Sequence, residues 1–115
     1  MIIKESNITI NVRNMERSIF FYQSIGFIIK QQWGNHYAQL EAAGTIIGLH
    51  PTGEKHLKGD SGNVSIGLTT DNFDDAKILL DKLYIPYSPR QEEGGDFLHF
   101  SDPDGTMLYF IKPKW

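Results

Sequence analysis

Cysteine is absent from the 115-residue sequence, which excludes a disulfide framework and any metal site built on thiolates. No apolar run approaches the roughly 20 residues of a membrane-spanning helix, and the opening MIIKESNITI lacks the basic-then-apolar pattern of a signal peptide. The net charge is −3, and the eleven Lys and Arg form no basic stripe for nucleic acid. We therefore expect a single cytoplasmic domain over residues 1–115, with no nucleic acid and no membrane as partner.

Two stretches of the sequence follow one plan. Residues 7–25 (NITINVRNMERSIFFYQSI) align with residues 65–83 (SIGLTTDNFDDAKILLDKL). Each begins with alternating apolar and polar residues, which predicts a strand with one apolar face. Each continues with an asparagine, Asn14 or Asn72, before an apolar stripe at helical spacing. This pattern predicts an N-capped amphipathic helix in each half.

Each half also ends in a glycine turn between two apolar segments. TIIGLHP follows Gly44 and TMLYFI follows Gly105, so a β-hairpin is predicted around both glycines. With one more strand after each helix, both halves read β-α-β-β-β and the fold class is α+β. Module one covers about residues 1–51, a polar linker covers 52–63, and module two covers 64–115.

The apolar stripe of a helix can cover only one face of a sheet. We expect the helices on the outer faces of two curved mixed sheets, whose remaining faces form a cleft. The strand residues predicted to meet the helices are Ile8, Ile10, Ile47, Leu49, Ile66, Leu68, Leu98, Phe100, Leu108 and Phe110.

The segment ITINVRNMERSIFFYQSIGF, followed by the terminal DPDGTMLYFIKP, resembles the vicinal oxygen chelate superfamily. That superfamily contains glyoxalase I, extradiol dioxygenases, and the fosfomycin- and bleomycin-resistance proteins. The resemblance extends over nearly the whole chain and implies tandem βαβββ modules around a small-molecule cleft. It also implies a homodimer, because single-domain members usually form one, often with cavities between modules or between subunits.

The resemblance further implies four positions at which metal-using members carry His or Glu. They lie on the first and last strands of each module, and here they fall on Asn7, Gly48, Ser65 and Tyr109. Amide, hydroxyl and phenol groups bind transition metals weakly, and glycine has no side-chain donor. We therefore expect no metal and no other cofactor, hence a metal-independent small-molecule binding protein. Whether it also catalyses a reaction is left open.

An alternative retains a divalent metal. Strand alternation places His50 and His99 on the faces away from the helices. Two imidazoles there could act as non-standard ligands in a lyase or dioxygenase of the same superfamily. In the simpler interpretation both imidazoles only line a pocket.

The predicted ligand-binding set combines apolar and aromatic groups with a few polar ones, as small-molecule pockets do. Its flat rings suit a planar or aromatic drug or metabolite that the protein would sequester. The set is Asn7, Thr9, Asn11, Trp33, His50, Phe97, His99, Met107, Tyr109 and Ile111. Two alternatives are that the aromatic residues pack a dimer interface and that the cleft is a protein-interaction surface.

Overall fold

The computed structural model describes residues 1–52 and 64–114, so residues 53–63 of the predicted linker lie outside the described residues. The described chain forms two compact units that correspond to modules one and two. Their elements, in chain order, are β1 (Ile8–Val12), α1 (Met15–Ser24), β2 (Ile28–Trp33), β3 (Tyr37–Ala42), β4 (Thr45–Pro51), β5 (Ser65–Thr69), α2 (Phe73–Lys82), β6 (Ser88–Glu92), β7 (Gly95–Ser101) and β8 (Met107–Pro113).

Each module folds into one four-stranded mixed sheet. The strand order is β1-β4-β3-β2 in module one and β5-β8-β7-β6 in module two. The first strand of each module runs parallel to the last, while the other pairs are antiparallel. This arrangement confirms the predicted α+β class and the tandem βαβββ plan. No helix in the described part of the chain is both long enough and apolar enough to span a membrane.

The predicted asparagine is the N-cap of each helix, directly before the first helical residue. The side chain of Asn14 accepts a hydrogen bond from the backbone N–H of Arg17 at 3.0 Å, and Asn72 accepts one from Asp75 at 3.0 Å. These bonds satisfy backbone donors that have no partner within the first helical turn.

Both helices also end in the same way. The first residue after the helix cap, Gly26 or Tyr84, has a positive φ, of 117° and 57° respectively. The next residue turns back to the last helical turn: the backbone N–H of Phe27 donates to Tyr22 at 2.9 Å, and that of Ile85 donates to Leu80 at 2.9 Å. A second bond accompanies each of these: the backbone N–H of Gly26 donates to Gln23 and that of Tyr84 donates to Asp81, both at 3.1 Å. Two such bonds at one helix end form the Schellman motif. Module two thus places a tyrosine where module one has the glycine that this backbone favours.

The core of each module lies between its helix and one face of its sheet. In module one the whole predicted stripe of α1 is buried, namely Met15, Ile19 and Tyr22 together with Ile25. In module two only Ala76 and Leu80 of α2 are buried, whereas the remaining stripe residues are half-buried. Each fully buried aliphatic side chain contributes about 1.5–3 kcal/mol.

The predicted helix-facing strand positions are buried with two exceptions. Ile8 is 53% exposed, so its prediction as a core residue is wrong. The exposure is confined to the start of β1: Ile8 is the first residue of this edge strand, and Ile10, two residues further along the same face, is only 8% exposed. Leu68 is half-buried. An edge position also explains how β6 accommodates Pro89. Proline has no backbone N–H, and an edge strand has no second neighbouring strand that would need one.

The two hairpin turns differ although both contain the predicted glycine. Ala42 pairs with Thr45, and the two residues between them have φ values of 48° and 87°, as in a type I′ turn. The second turn is longer and is organised by Asp102, which is 5% exposed. One carboxylate oxygen of Asp102 accepts the backbone N–H groups of Asp104 and Thr106, both at 2.9 Å.

Replacing Tyr84 by glycine should stabilise the protein by about 1 kcal/mol, because glycine adopts a positive φ without the steric cost that other residues carry. Little packing is lost, since Tyr84 is 92% exposed. Urea denaturation measures the change in unfolding free energy. Tyr84→Ala is the matched control, because it removes the side chain but keeps the steric cost. Equal stabilities of the two variants would contradict the backbone explanation.

Replacing Asp102 by alanine should destabilise the protein by about 2 kcal/mol, because two backbone N–H groups lose their acceptor in a buried turn. Asp102→Asn retains a carbonyl oxygen and should lose less. The exposed Asp71→Ala variant controls for the loss of one negative charge. If thermal and urea unfolding showed equal losses for Asp71→Ala and Asp102→Ala, the turn would not depend on this carboxylate.

Candidate functional site

The face of each sheet opposite its helix, here named the open face, carries the predicted ligand-binding residues. In module one the strand register places Thr9 beside Gly48 and Asn11 beside His50. Paired residues on neighbouring strands share a face, and Leu49, between Gly48 and His50, is fully buried on the helix side. These polar side chains therefore point away from the core, as predicted.

A tyrosine ring lies across Gly48 in module one. A Cβ atom at residue 48 would sit 2.9 Å from both the hydroxyl oxygen of Thr9 and a ring carbon of Tyr37, and still closer to the Tyr37 hydroxyl. Real Cβ atoms do not approach other atoms this closely, so only glycine leaves room for the Tyr37 ring. The absence of a side chain at residue 48 thus positions a phenol on the open face.

The Tyr37 hydroxyl is the centre of a cluster of polar side chains. It accepts from the amide nitrogens of Asn7 at 3.1 Å and Gln39 at 3.2 Å. The Asn7 amide nitrogen also lies 3.1 Å from the Thr9 hydroxyl. On its other side, the Tyr37 ring stacks with Trp33, with ring centroids 5.6 Å apart and 29° between the planes. Module one therefore combines a hydrogen-bonding group with a half-exposed aromatic pair.

Module two carries three rings in mutual contact on its open face. Phe97 and His99 are stacked, with centroids 5.6 Å apart and planes 11° from parallel. Tyr109 lies 5.6 Å from the Phe97 ring and 5.7 Å from the His99 ring. All three side chains are half-buried, so part of each ring remains accessible. We call Phe97, His99 and Tyr109 the aromatic cluster.

The aromatic cluster also depends on a glycine. A Cβ atom at Gly67 would lie 2.5–2.8 Å from ring carbons of Tyr109 and nearer still to its hydroxyl. Gly67 and Tyr109 are register partners on β5 and β8. The other predicted residues of this face flank the rings: Ile111 pairs with Phe97 and is 7% exposed, and Met107 pairs with Ser101.

The family's four metal positions hold groups that do not fit a transition metal. In module one, Asn7 offers an amide that is hydrogen-bonded to Thr9 and Tyr37. Gly48 has no side chain. Ser65 and Tyr109 in module two offer hydroxyl groups, which are weak ligands for transition metals. Within residues 1–52 and 64–114, no three His, Asp or Glu side chains are grouped as a metal site requires.

The histidines of the alternative hypothesis both lie on open faces. His50 is exposed at the end of β4 beside Asn11 in module one. His99 belongs to the aromatic cluster of module two, where its ring packs on Phe97. Their positions agree with the strand alternation that predicted them, and their role stays a prediction.

Sequence reasoning missed Tyr37 and Gln39, which form the centre of the module one cluster. The segment HYAQLE left its inward face undecided, because its alternation is weak. The structure buries Ala38 and Leu40 completely on the helix side, so Tyr37 and Gln39 point to the open face. The sequence does contain a signal for these two residues. A tight hairpin around Gly44 pairs the segment with TIIGLHP, and that register assigns Tyr37 and Gln39 to the same face as Gly48.

Comparison with known proteins assigns the family. Residues 6–110 match the family model of the Glyoxalase/Bleomycin resistance protein/Dioxygenase superfamily. The chain therefore belongs to this superfamily, as the sequence resemblance predicted. A search of curated proteins found no match.

Several solved structures share the fold. The hypothetical protein SA1046 from S. aureus has a TM-score of 0.80 and 21% identity, with 97% of this chain and 95% of that chain covered. The fosfomycin resistance protein FosX from Mesorhizobium loti has a TM-score of 0.76 and 21% identity, with 99% and 95% covered. A bleomycin-binding protein complexed with bleomycin has a TM-score of 0.72 and 19% identity, with 97% and 100% covered.

Replacing Gly48 by alanine should destabilise the protein by about 2 kcal/mol, because the Tyr37 ring must move off the sheet and release its hydrogen bonds. In a Tyr37→Phe background the closest clashing atom is gone, so the same substitution should cost about 1 kcal/mol less. Urea unfolding of the four proteins in this double-mutant cycle measures the coupling. Strictly additive effects would show that Tyr37 does not depend on Gly48.

Proposed function

We propose that this protein binds a planar or aromatic small molecule without a metal ion, in the manner of a resistance protein that sequesters a drug. The observation that carries the proposal is the aromatic cluster of module two. Phe97 and His99 present two nearly parallel rings, and Tyr109 is inclined by 54° and 45° to them. Partly exposed rings of this kind bind flat ligands by stacking and by apolar contact.

Tyr109, on the last strand of module two, supports ligand binding rather than metal-dependent catalysis. Tyr109 occupies the position where metal-using relatives are expected to carry a ligand, and its ring is packed over Gly67. A phenol in this place contributes an apolar surface and one hydroxyl, and neither polarises a substrate oxygen as a bound metal ion does. One structural neighbour is a bleomycin-binding protein in complex with bleomycin, which agrees with a drug-binding role.

The surroundings of the aromatic cluster favour an aromatic ligand of moderate polarity. Met107 adds a half-buried apolar side chain beside the rings, and Ile111 packs beside Phe97 as a buried one. The register places Arg90 beside Phe97 on the same face. An arginine next to a stacking surface can pack over a bound ring or pair with an anionic substituent. We expect the strongest ligands to combine a flat ring system with one such substituent.

The test is a thermal-shift screen of planar aromatic antibiotics and metabolites, bleomycin included, followed by titration of the most stabilising compound in excess EDTA. We expect saturable binding that EDTA does not weaken. Tyr109→Ala should weaken it by about tenfold or more, because the central ring of the cluster is removed. Phe20→Ala is the matched control, since Phe20 is an aromatic residue of α1 that is 67% exposed.

A metal-dependent lyase or dioxygenase predicts a different result. Protein purified without a histidine tag would then contain stoichiometric Zn, Fe, Ni or Mn by elemental analysis. That metal would be lost in His50→Ala and His99→Ala, and turnover would require it. This outcome, with ligand binding unchanged in Tyr109→Ala, would overturn the proposal.

A homodimer and a cytoplasmic location stay predictions. The chain has exposed apolar side chains that a second copy could cover, including Ile2 at 84% and Ile3 at 73% exposure. Light scattering coupled to size-exclusion chromatography measures the mass in solution.

A further inference from the structure

Module one contains a buried polar atom without a partner. Gln39 lies on β3, in the interior of the sheet between β4 and β2, and only 9% of its surface is exposed. Its amide nitrogen donates to the Tyr37 hydroxyl at 3.2 Å, whereas its amide oxygen has no hydrogen-bond partner. Leaving such an acceptor unpaired costs about 1–3 kcal/mol, so most buried polar atoms are paired.

The Tyr37 hydroxyl next to the Gln39 amide has an unused hydrogen-bond donor. It accepts hydrogen bonds from the amides of Asn7 and Gln39, and neither bond uses the hydrogen of the phenol itself. A phenol can donate one hydrogen bond while it accepts others. Module one therefore has one unpaired buried acceptor, the Gln39 oxygen, beside one donor, the Tyr37 hydroxyl.

We propose that these two groups form a subsite for a neutral amide-like group of the ligand, meaning a carboxamide, lactam or imide. Such a group has an N–H that the Gln39 oxygen can accept and an adjacent C=O that can accept from Tyr37. The inference rests on the proposed function only in that the ligand is a small molecule. It adds the chemical class of the ligand's polar part.

The charges around the subsite disfavour a carboxylate in the same place. Asn7, Thr9, Tyr37 and Gln39 are uncharged, and Glu41, two residues beyond Gln39 on the same face of β3, is half-buried. A carboxylate ligand would lie near Glu41 and would leave the Gln39 oxygen facing a second acceptor, so both effects are repulsive.

An aromatic surface adjoins the subsite. Trp33 stacks with the Tyr37 ring and is itself 51% exposed, so an amide attached to a flat ring can reach the polar pair while its ring contacts the indole. Benzamide is the smallest probe with both parts. Benzoate has the same ring and shape but carries a charge and no N–H.

The experiment is an NMR titration of the full chain with benzamide and with benzoate, following the backbone amides of β3 and the side-chain amide signals of Gln39. We expect benzamide to bind about tenfold or more tightly than benzoate. Gln39→Met keeps the side-chain length but removes the amide, and it should abolish this preference. Gln32→Met on the exposed edge strand β2 is the matched control and should leave the preference unchanged.

Other outcomes are decisive in the opposite direction. Equal binding of both probes, no binding of benzamide, or a preference that survives in Gln39→Met would each overturn the subsite. Tighter binding of benzoate would mean that the Gln39 amide presents its nitrogen to the ligand, which also overturns it. None of these results affects the proposed binding of planar compounds, which depends on Tyr109 and is measured in the separate screen.

Discussion

Each sheet in this protein has four strands but only one ten-residue helix to cover it, and this imbalance determines what the rest of the structure does. The helix and the apolar strand positions of one face form the core. The other face must then be built from side chains that tolerate partial exposure, which means polar groups and aromatic rings with polar edges. The open faces are therefore a consequence of the βαβββ plan, and the candidate site exists because no second layer covers them within a module.

Two glycines decide how the open faces are arranged. Gly48 and Gly67 occupy central and edge strands respectively, positions where glycine weakens a strand because it contributes no side-chain packing. In both modules the space is filled by a phenol from a neighbouring strand: Tyr37 lies over Gly48, and Tyr109 lies over Gly67. The two modules thus reach the same packing from opposite sequence positions, since the last strand supplies the glycine in module one and the tyrosine in module two.

The sequence predicted the fold well because its strongest signals are local. Asparagine caps, helical stripes and glycine turns act within a few residues, and each was found at its predicted place. The open faces were predicted less completely because they depend on register between strands. The orientation of Tyr37 follows from the burial of Ala38 and Leu40 against the helix, which the sequence alone does not give. The exposure of Ile8 was missed for a related reason. Alternation predicts which face of the sheet a residue lies on, whereas burial also depends on position along the strand: Ile8 at the start of β1 is 53% exposed, and Ile10 on the same strand is 8% exposed.

The different polar content of the two open faces follows from these constraints. In module one the phenol over Gly48 points its hydroxyl at Asn7 and Gln39, so the ring is fixed by hydrogen bonds and its neighbours are amides. In module two the phenol over Gly67 contacts Phe97 and His99, so the ring is fixed by other rings. Two modules with one backbone plan can therefore offer two kinds of recognition, directional in module one and apolar in module two. The proposed neutral amide suits the first kind and the proposed flat ring suits the second, and neither proposal requires the metal ligands that metal-using members of the family carry at these strands.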